Sequence, residues 1–346
     1  MSSYGVSIII SATLGFLISL VLGKIIIPIL TKIKYGQTIL EIGPSWHKNK
    51  QGTPTMGGFI FIISGIISTI ISIILYYKLS EINHIQARET ILMTTKIIAG
   101  LLMALGYGAI GFIDDYVKVT KKQNQGLTPI QKLILQFGVV TCYFLCIYAV
   151  NKITHGSSLT QVNLPFFGTI ELKFFYYIIF SVITVGIVNS TNLTDGIDGL
   201  CSSIAFFVFI FFMIMTNILG MYGLSLEATA FAGSCLGFLF WNLNPAKVFM
   251  GDTGSLFLGG LICALGLGAN LHVPLIIISF VYILEMFSVM IQVIYFKLTH
   301  GKRLFKMAPV HHHLELSGWN ENKICIIFST ITIILGIISL IYVKYY

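Results

Sequence analysis

Residues 174–219 read FFYYIIFSVITVGIVNSTNLTDGIDGLCSSIAFFVFIFFMIMTNIL, and this stretch decides the fold. Two apolar runs, 174–190 and 200–219, enclose a segment rich in amide, hydroxyl and carboxylate side chains. Each run is close to the ~20 residues that a membrane-spanning helix needs. The stretch therefore predicts two spanning helices joined by a short polar loop at one face of a membrane.

The rest of the chain repeats this pattern of apolar runs. Of its 346 residues, 56% are hydrophobic and 10% are charged, whereas about 25% are charged in soluble domains. The mean hydropathy is +0.89, and a soluble fold cannot bury so much apolar surface. The sequence predicts an all-α polytopic membrane protein that forms one domain over residues 1–346. Its ten transmembrane helices are expected at about 5–31, 57–77, 91–113, 130–150, 174–190, 200–219, 226–241, 255–271, 274–298 and 323–343.

Basic residues indicate which face of the membrane each loop occupies. Ten spans put both termini on one side, and the loops after spans 1, 3, 5, 7 and 9 on the other. Because lysine and arginine are enriched in cytoplasmic loops, the side with more of them is predicted to be cytoplasmic, and the termini are predicted to be periplasmic. The richer side carries 14 basic residues, Lys32, Lys34, Lys48, Lys50, Lys118, Lys121, Lys122, Lys132, Lys247, Lys297, Lys302, Arg303, Lys306 and Lys323. The other side carries 5, Lys78, Arg88, Lys152, Lys173 and Lys344.

Three further patterns limit the class of protein. Pro165 and Gly168, in the outer segment 151–173, predict a small periplasmic hairpin between helices 4 and 5. The six cysteines lie in or beside apolar runs without a C-x-x-C pair, so neither a disulfide framework nor a thiolate metal site is indicated. The net charge of +8 is spread over short loops, so we expect no nucleic acid partner.

All five aspartates of the chain fall in loops that are predicted to be cytoplasmic. They are Asp114, Asp115, Asp195, Asp198 and Asp252. Carboxylates that converge on one interface predict a site for Mg²⁺, whose ligands are oxygens and often include substrate phosphates. The alternative is that they only keep the loops soluble, which the apolar flanking helices disfavour.

Three segments supply these aspartates. The first ends span 3 with Asp114, Asp115 and Lys118; a continued helix would put Lys118 beside both carboxylates, although an ordinary charge cluster at a helix end would look the same. The second, 189–200, adds two glycines whose backbone can approach a ligand closely. The third, 242–255, opens span 8, where backbone N–H groups predict an anion site. It lacks the G-K-[ST] of a Walker loop, so ATP hydrolysis is not indicated.

A fourth polar segment, 309–315, contains three consecutive histidines and Glu315. Zinc binding is one interpretation, but we expect consecutive side chains of an extended loop to point in different directions. Contacts to a phosphate or to a lipid head group are therefore the preferred prediction. Glu285 is the one carboxylate that is predicted to lie deep within a span, where it must be paired or face a cavity.

Taken in chain order, these motifs resemble the phospho-N-acetylmuramoyl-pentapeptide transferase family, within the polyprenyl-phosphate N-acetylhexosamine-1-phosphate transferase superfamily. The aspartate motifs mark the superfamily, whereas segments 52–58 (GTPTMGG) and 309–315 resemble the peptidoglycan branch. The resemblance covers nearly the whole chain and rests on 52–58, Asp114-Asp115 with Lys118, 189–200, 249–255, 285–292 and 309–315.

The resemblance implies transfer of phospho-MurNAc-pentapeptide from UDP-MurNAc-pentapeptide to undecaprenyl phosphate, giving lipid I and UMP with Mg²⁺ as cofactor. It also implies a homodimer in the bacterial inner membrane, an active site that faces the cytoplasm, and a lipid groove beside a bent ninth helix. A soluble diphosphate and a lipid phosphate can meet only at the membrane interface, where cationic groups neutralise the crowded phosphates.

The same resemblance assigns roles to individual residues. Asp252 is the expected metal ligand, and Asp114 is the expected base or partner of the lipid phosphate. The expected catalytic residues are Asp114, Asp115, Asp252 and His312. Phe249 offers a ring for stacking on uracil. The expected substrate-binding residues are Lys118, Lys132, Asn189, Asn192, Asp195, Asp198, Asn242, Phe249, His311 and His313.

Two other functions compete with this interpretation. A related transferase that uses UDP-GlcNAc would share the aspartates, but the triple histidine argues against it. A secondary transporter would also be polytopic, but its ionisable groups should concentrate near the middle of the membrane. Here only Glu285 is predicted to lie there.

Overall fold

The computed structural model describes residues 3–32, 52–80, 87–121, 125–153, 160–165 and 167–345. Within these ranges, ten helices are long and apolar enough to cross a membrane, which confirms the predicted all-α polytopic fold. They are α1 (Ser3–Lys32), α2 (Gly58–Leu79), α3 (Ala87–Thr120), α4 (Pro129–Ile153), α5 (Phe174–Thr194), α6 (Leu200–Ile218), α7 (Tyr222–Asn242), α8 (Gly251–Gly268), α10 (Phe280–Leu298) and α12 (Glu321–Tyr345). Two short helices complete the set, α9 (His272–Ile278) and α11 (Val310–Glu315).

Three helices extend beyond their predicted ends into the polar segments. Helix α3 continues to Thr120, so Asp114, Asp115 and Lys118 lie on its last turns. Helix α5 continues to Thr194, and α8 begins at Gly251 rather than at residue 255. Polar side chains made these helix ends difficult to recognise in the sequence. In the structure, the same side chains lie on regular helical turns.

The ninth predicted span, 274–298, is divided in two. Helix α9 ends at Ile278 and α10 begins at Phe280, with Ser279 between them. This break gives the bent ninth helix that the resemblance implied, whereas the lipid groove beside it stays a prediction.

The predicted hairpin between helices 4 and 5 is confirmed. Strands β1 (Gln161–Leu164) and β2 (Gly168–Glu171) pair antiparallel, with Val162 opposite Ile170. The Tyr342 hydroxyl donates a 2.6 Å hydrogen bond to the Asn163 carbonyl oxygen, so the end of α12 lies on the hairpin's side of the bundle. The periplasmic location of that side stays a prediction. Four of the basic residues on which this prediction depends lie outside the described residues. They are Lys34, Lys48, Lys50 and Lys122.

A stripe of small residues lets α1 approach α7 closely. The buried positions of α1 recur every four residues from Ser7 to Gly23, and all five are serine or glycine. A Cβ atom on Gly15 would lie 2.5 Å from the Ala230 carbonyl oxygen, and one on Gly233 would overlap the backbone of Ala12. Lipid tails give helices no hydrophobic reason to associate, so close backbone contact is what stabilises such a pair.

Helices α7 and α8 form the centre of the bundle, because 89% of the residues in the membrane-spanning stretch of each are buried. Two glycines bring neighbouring helices against the first turn of α8. A Cβ atom on Gly58 of α2 would overlap Gly254, and one on Gly111 of α3 would overlap the backbone of Asp252. The first turn of α8 is therefore fixed from two sides.

Glu285 is not the only ionisable residue that is buried within the helices. Glu227 in α7 and Lys96 in α3 are buried as well. That Glu285 alone lies near the middle of the membrane stays a prediction. Helix α7 begins at Tyr222 rather than at residue 226, so Glu227 lies in its second turn instead of at its predicted end.

Replacing Gly233 by alanine should destabilise the bundle. The added methyl group has no space against Ala12, and overpacking of this kind costs about 1–3 kcal/mol of unfolding free energy. Gly138→Ala in α4 is the matched control, because nothing lies within 4 Å of a Cβ atom there. We expect thermal unfolding in detergent to show a lower midpoint for Gly233→Ala and an unchanged or higher one for Gly138→Ala. Equal shifts for the two variants would contradict the close packing of α1 and α7.

Candidate active site

Two lysines and two aspartates meet at the ends of α3, α4 and α8. Lys118 Nζ lies 2.7 Å from Asp114 Oδ2 and 3.0 Å from Asp252 Oδ2. Lys132 Nζ lies 2.9 Å and 3.0 Å from the same two oxygens. Asp114 is fully buried, whereas the side chains of both lysines are 23% exposed and that of Asp252 is 17% exposed. The two ammonium groups are thus held in place by ion pairs and remain accessible to a ligand.

The loop before α4 closes over Asp114. The Leu127 N–H donates a 2.7 Å hydrogen bond to Asp114 Oδ1, and a Cβ atom on Gly126 would overlap this carboxylate. Thr128 and Gln131 then cap α4 reciprocally, each backbone N–H donating to the other's side-chain oxygen. This arrangement fixes Lys132 one turn into α4, within reach of Asp114.

Asp115 caps the first turn of α8. Its Oδ2 accepts hydrogen bonds from the Thr253 N–H at 3.0 Å and the Thr253 hydroxyl at 2.8 Å, and its Oδ1 accepts from the Asp252 N–H at 3.3 Å. The anion site predicted at this helix start is therefore filled by the chain's own carboxylate. The cationic groups of this cluster that can bind a substrate phosphate are those of Lys118 and Lys132.

Asn192 contacts Asp252 on the side away from the lysines, and the Asp195 carboxyl is close enough to interact with the charge of Asp252. Asn192 Nδ2 lies 2.9 Å from both Asp252 Oδ1 and Ser255 Oγ. Although one edge of Asp195 reaches solvent, burial in the cleft raises the pKa of its carboxyl well above the usual range, and repulsion from Asp252 and Asp115 raises it further. A hydrogen bond from the Gly251 backbone acts in the opposite direction.

The charges of this cluster suit a divalent cation. Four carboxylates, those of Asp114, Asp115, Asp195 and Asp252, lie near only two ammonium groups. Among the described residues, no group of three or more His, Cys, Asp or Glu side chains is arranged to hold a metal ion. Mg²⁺ usually takes one or two carboxylates and completes its shell with water and substrate phosphates. The donor set therefore fits Mg²⁺ as an ion that arrives with phosphate.

Gln136 is a residue of this region that the sequence interpretation missed. It forms a reciprocal amide pair with Asn189: Asn189 Nδ2 donates to Gln136 Oε1 at 2.7 Å, and Gln136 Nε2 donates to Asn189 Oδ1 at 3.2 Å. Asn189 Nδ2 also donates to the Val185 carbonyl oxygen at 2.8 Å. The available signal was a lone amide in an apolar run, four residues after Lys132 and thus on its face of the helix.

Asp198 and Asn242 hold a loop rather than join the aspartate–lysine cluster. Asp198 Oδ2 accepts hydrogen bonds from Asn244 Nδ2 at 3.1 Å and the Ala246 N–H at 3.0 Å. Asn242 Nδ2 donates to the Val248 carbonyl oxygen at 3.0 Å, and its Oδ1 accepts from the Ser202 hydroxyl at 2.8 Å. Both side chains shape the segment between α7 and α8.

The segment 52–58 braces the start of α8. The Phe249 N–H donates to the Pro54 carbonyl oxygen at 2.9 Å, and the Gly57 N–H donates to the Phe249 carbonyl oxygen at 2.8 Å. Gly58 continues the pairing to Met250 at 3.0 Å. The half-buried Phe249 is therefore held by its backbone beside Asp252, and its ring's contact with uracil stays a prediction.

The three histidines lie on the short helix α11, so the expectation of an extended loop is wrong. Their side chains nevertheless have three different partners. His311 Nδ1 lies 3.1 Å from Glu285 Oε2, with both side chains fully buried, and His312 Nδ1 lies 2.7 Å from Glu315 Oε2. His313 Nδ1 accepts a 3.1 Å hydrogen bond from the Lys306 N–H.

The pairing of Glu285 confirms that this deep carboxylate is not isolated. His311 Nε2 points toward Gly196, where a Cβ atom would overlap it. The His311 imidazole is thus packed directly against the Asn189–Leu200 segment.

Two family matches cover the aspartate–lysine cluster and the segment 52–58. Residues 97–270 match glycosyl transferase family 4, and residues 50–62 match signature 1 of the phospho-N-acetylmuramoyl-pentapeptide-transferases. The first match contains the whole aspartate–lysine cluster, and the second contains the whole of the segment 52–58 that braces α8. Fold and site therefore place the chain in the class of membrane-embedded glycosyl transferases.

Full-length relatives narrow this class. The phospho-N-acetylmuramoyl-pentapeptide-transferase of Staphylococcus carnosus is 44% identical over 334 residues, which are 96% of this chain and 98% of the relative. Those of Staphylococcus epidermidis and Staphylococcus aureus are 43% and 41% identical with the same coverage. The chain belongs to the phospho-N-acetylmuramoyl-pentapeptide transferase family. This confirms the predicted family and transferase function, and with its ten apolar helices the chain is a multi-pass membrane protein.

The amide pair should behave as a unit in mutagenesis. Gln136→Leu or Asn189→Leu alone leaves a buried amide without its partner, which costs about 1–3 kcal/mol of unfolding free energy. The double variant removes both amides, so its loss should be smaller than the sum of the single losses. Thermal unfolding in detergent measures all three, with Thr141→Val on the exposed face of α4 as control. Additive losses would contradict the pairing.

Proposed function

We propose that the chain transfers phospho-MurNAc-pentapeptide from UDP-MurNAc-pentapeptide to undecaprenyl phosphate, giving lipid I and UMP. The observation that carries this proposal is the pair of half-buried ammonium groups, Lys118 and Lys132, held between Asp114 and Asp252 at the ends of three spanning helices. Such a position is open both to a soluble diphosphate and to a lipid phosphate at the membrane interface.

The two lysines bind the reacting phosphates. Each ammonium group has three N–H donors, and Asp114 and Asp252 account for two of them. The remaining donor of each can reach a phosphate oxygen in a charge-assisted hydrogen bond. Because the carboxylates fix both ammonium groups beforehand, little reorganisation is needed when negative charge builds up on the transferred phosphate.

The lipid phosphate needs no strong base. A phosphate monoester has a second pKa of about 6, so it is largely a dianion at neutral pH. Its oxygen attacks the sugar-linked phosphorus of the donor, a new phosphoanhydride bond forms, and the bond to UMP breaks with its electron pair on UMP. Asp114 is fully buried, forms ion pairs with Lys118 and Lys132, and accepts a hydrogen bond from the Leu127 N–H. We therefore assign it the positioning of the lysines.

Asp252, with Asp195 beside it, would hold Mg²⁺. Because four carboxylates face only two ammonium groups, the ion would supply the missing positive charge. It would thereby let two anionic substrates come together. Asn192 orients Asp252 through its 2.9 Å hydrogen bond. Asp115 fixes the backbone from which Asp252 projects.

The site is proposed to face the cytoplasm in a bacterial inner membrane. The basic residues on the side of the aspartates support this orientation, and the β1–β2 hairpin lies at the opposite side of the bundle. The homodimer that the resemblance implies stays a prediction.

Purified protein should release UMP only when UDP-MurNAc-pentapeptide, undecaprenyl phosphate and Mg²⁺ are all present. Asp252→Asn keeps the shape of the side chain but removes its charge, and we expect the rate to fall by roughly 10²–10³-fold in protein that still folds in detergent. Lys121→Gln is the control, since Lys121 is exposed at the end of α3 and should retain wild-type rates. Near-normal turnover of Asp252→Asn would remove it from the site, and no UMP release by the wild type would refute the function.

The orientation can be tested with single cysteines in a background where the exposed Cys142 and Cys146 are replaced by serine. Phe167→Cys lies in the turn of the hairpin, where the native side chain is 79% exposed. Lys302→Cys lies in the exposed segment before α11. In intact cells an impermeant thiol reagent should label the first and spare the second until the membrane is opened. The reverse pattern would put the aspartates outside, away from a cytosolic donor.

A further inference from the structure

A pocket of about 350 Å³ lies beside the loop that Asp198 holds. Its volume is at the lower end of the ~300–1,000 Å³ that small-molecule sites occupy. It opens between the segment before α8 and the segment that joins α11 to α12. The lining residues are Asn244, Glu315, Gly318, Trp319, Asn320 and Glu321.

Three hydrogen bonds connect this pocket to Asp198 and His312. Asn244 Nδ2 donates to Asp198 Oδ2 at 3.1 Å, and Glu321 Oε2 accepts from the Asp198 N–H at 2.8 Å. On the opposite wall, Glu315 Oε2 lies 2.7 Å from His312 Nδ1. The pocket therefore lies next to the Asp198 loop and to helix α11.

The chemistry of the walls selects against phosphate and in favour of an ammonium group. Glu315 and Glu321 are only 3% and 8% exposed, and carboxylates shielded from water in this way exert a strong field on a charge nearby. Trp319 adds an aromatic face, the side chain with which cations interact best. Lys323 Nζ already lies 4.3 Å from the centre of that ring, so the indole is used by an ammonium group of the chain itself.

We infer that this pocket binds the peptide part of the donor through a primary ammonium group on one of its side chains. The inference rests on the proposed function. Uracil, ribose, the diphosphate and the N-acetylated sugar carry no cation, so the peptide is the only part of the donor that these carboxylates and Trp319 can attract. The pocket gives the enzyme a way to recognise the amine-bearing residue while the phosphates react at Lys118 and Lys132.

The test uses two donors that differ in one acetyl group. The first is UDP-MurNAc-pentapeptide with lysine as its third residue, and the second is the same molecule acetylated on the lysine ε-amine. With the wild type, we expect the acetylated donor to have a KM higher by roughly 10-fold, as loss of one charge-assisted contact implies, and a similar kcat. Trp319→Ala should raise KM for the amine donor by about 5-fold and hardly change it for the acetylated donor.

Two further variants separate recognition from folding. Leu316→Ala is the matched control, because Leu316 is exposed in the same segment but does not line the pocket. It should keep the preference for the amine. Lys323→Gln removes the ammonium group that covers Trp319, so it should lower KM for the amine donor by about 2-fold or more. This variant tests the pocket even if Trp319→Ala does not fold.

The possible outcomes distinguish this inference from the proposed function. Equal KM values for both donors at normal turnover, or a Trp319→Ala effect of the same size on both, would overturn the ammonium pocket and leave the transfer reaction intact. Absence of UMP release from either donor would overturn the proposed function and the pocket with it.

Discussion

The pairing of two lysines with two aspartates in apolar surroundings is the interaction on which the site depends. Lys118 and Lys132 both bridge Asp114 and Asp252, and a single unpaired charge left there would cost far more than any of these contacts contributes. The charges therefore hold α3, α4 and α8 at one level of the membrane. They also explain why the ammonium groups are ready for phosphate before a substrate arrives, because their orientation is set by carboxylates that are themselves fixed.

Close helix packing makes this charge geometry possible. Glycines at 58 and 111 let α2 and α3 touch the first turn of α8, and Asp115 then caps that turn from α3. Elsewhere the same device joins α1 to α7 through a stripe of serine and glycine. In a bilayer, where apolar side chains gain nothing by leaving lipid, such backbone contacts give the bundle a defined shape. That shape in turn fixes the lysine and aspartate side chains to within hydrogen-bonding distance.

Family membership decides between the alternatives that the sequence left open. Glu227 and Lys96 are buried inside the bundle together with Glu285, but burial alone does not distinguish a transporter from an enzyme. The paired aspartates and lysines gather at helix ends on one face, where the proposed transfer between a soluble and a lipid substrate would take place. The relatives, 41–44% identical over nearly the full length, place the chain in the peptidoglycan branch rather than with transferases that use UDP-GlcNAc.

The sequence by itself determined the ten spans, the hairpin and the segments that carry the chemistry, because apolar run length and local motifs are properties of neighbouring residues. It also identified the family, since those motifs occur in a characteristic order. Only the tertiary structure decided the partners: Asp115 with Thr253, Gln136 with Asn189, His311 with Glu285, and Asp198 with the loop after α7. The members of these pairs are 138, 53 and 26 residues apart in the first three cases. No local pattern encodes such contacts, because they arise only when close-packed helices bring distant side chains to the same depth.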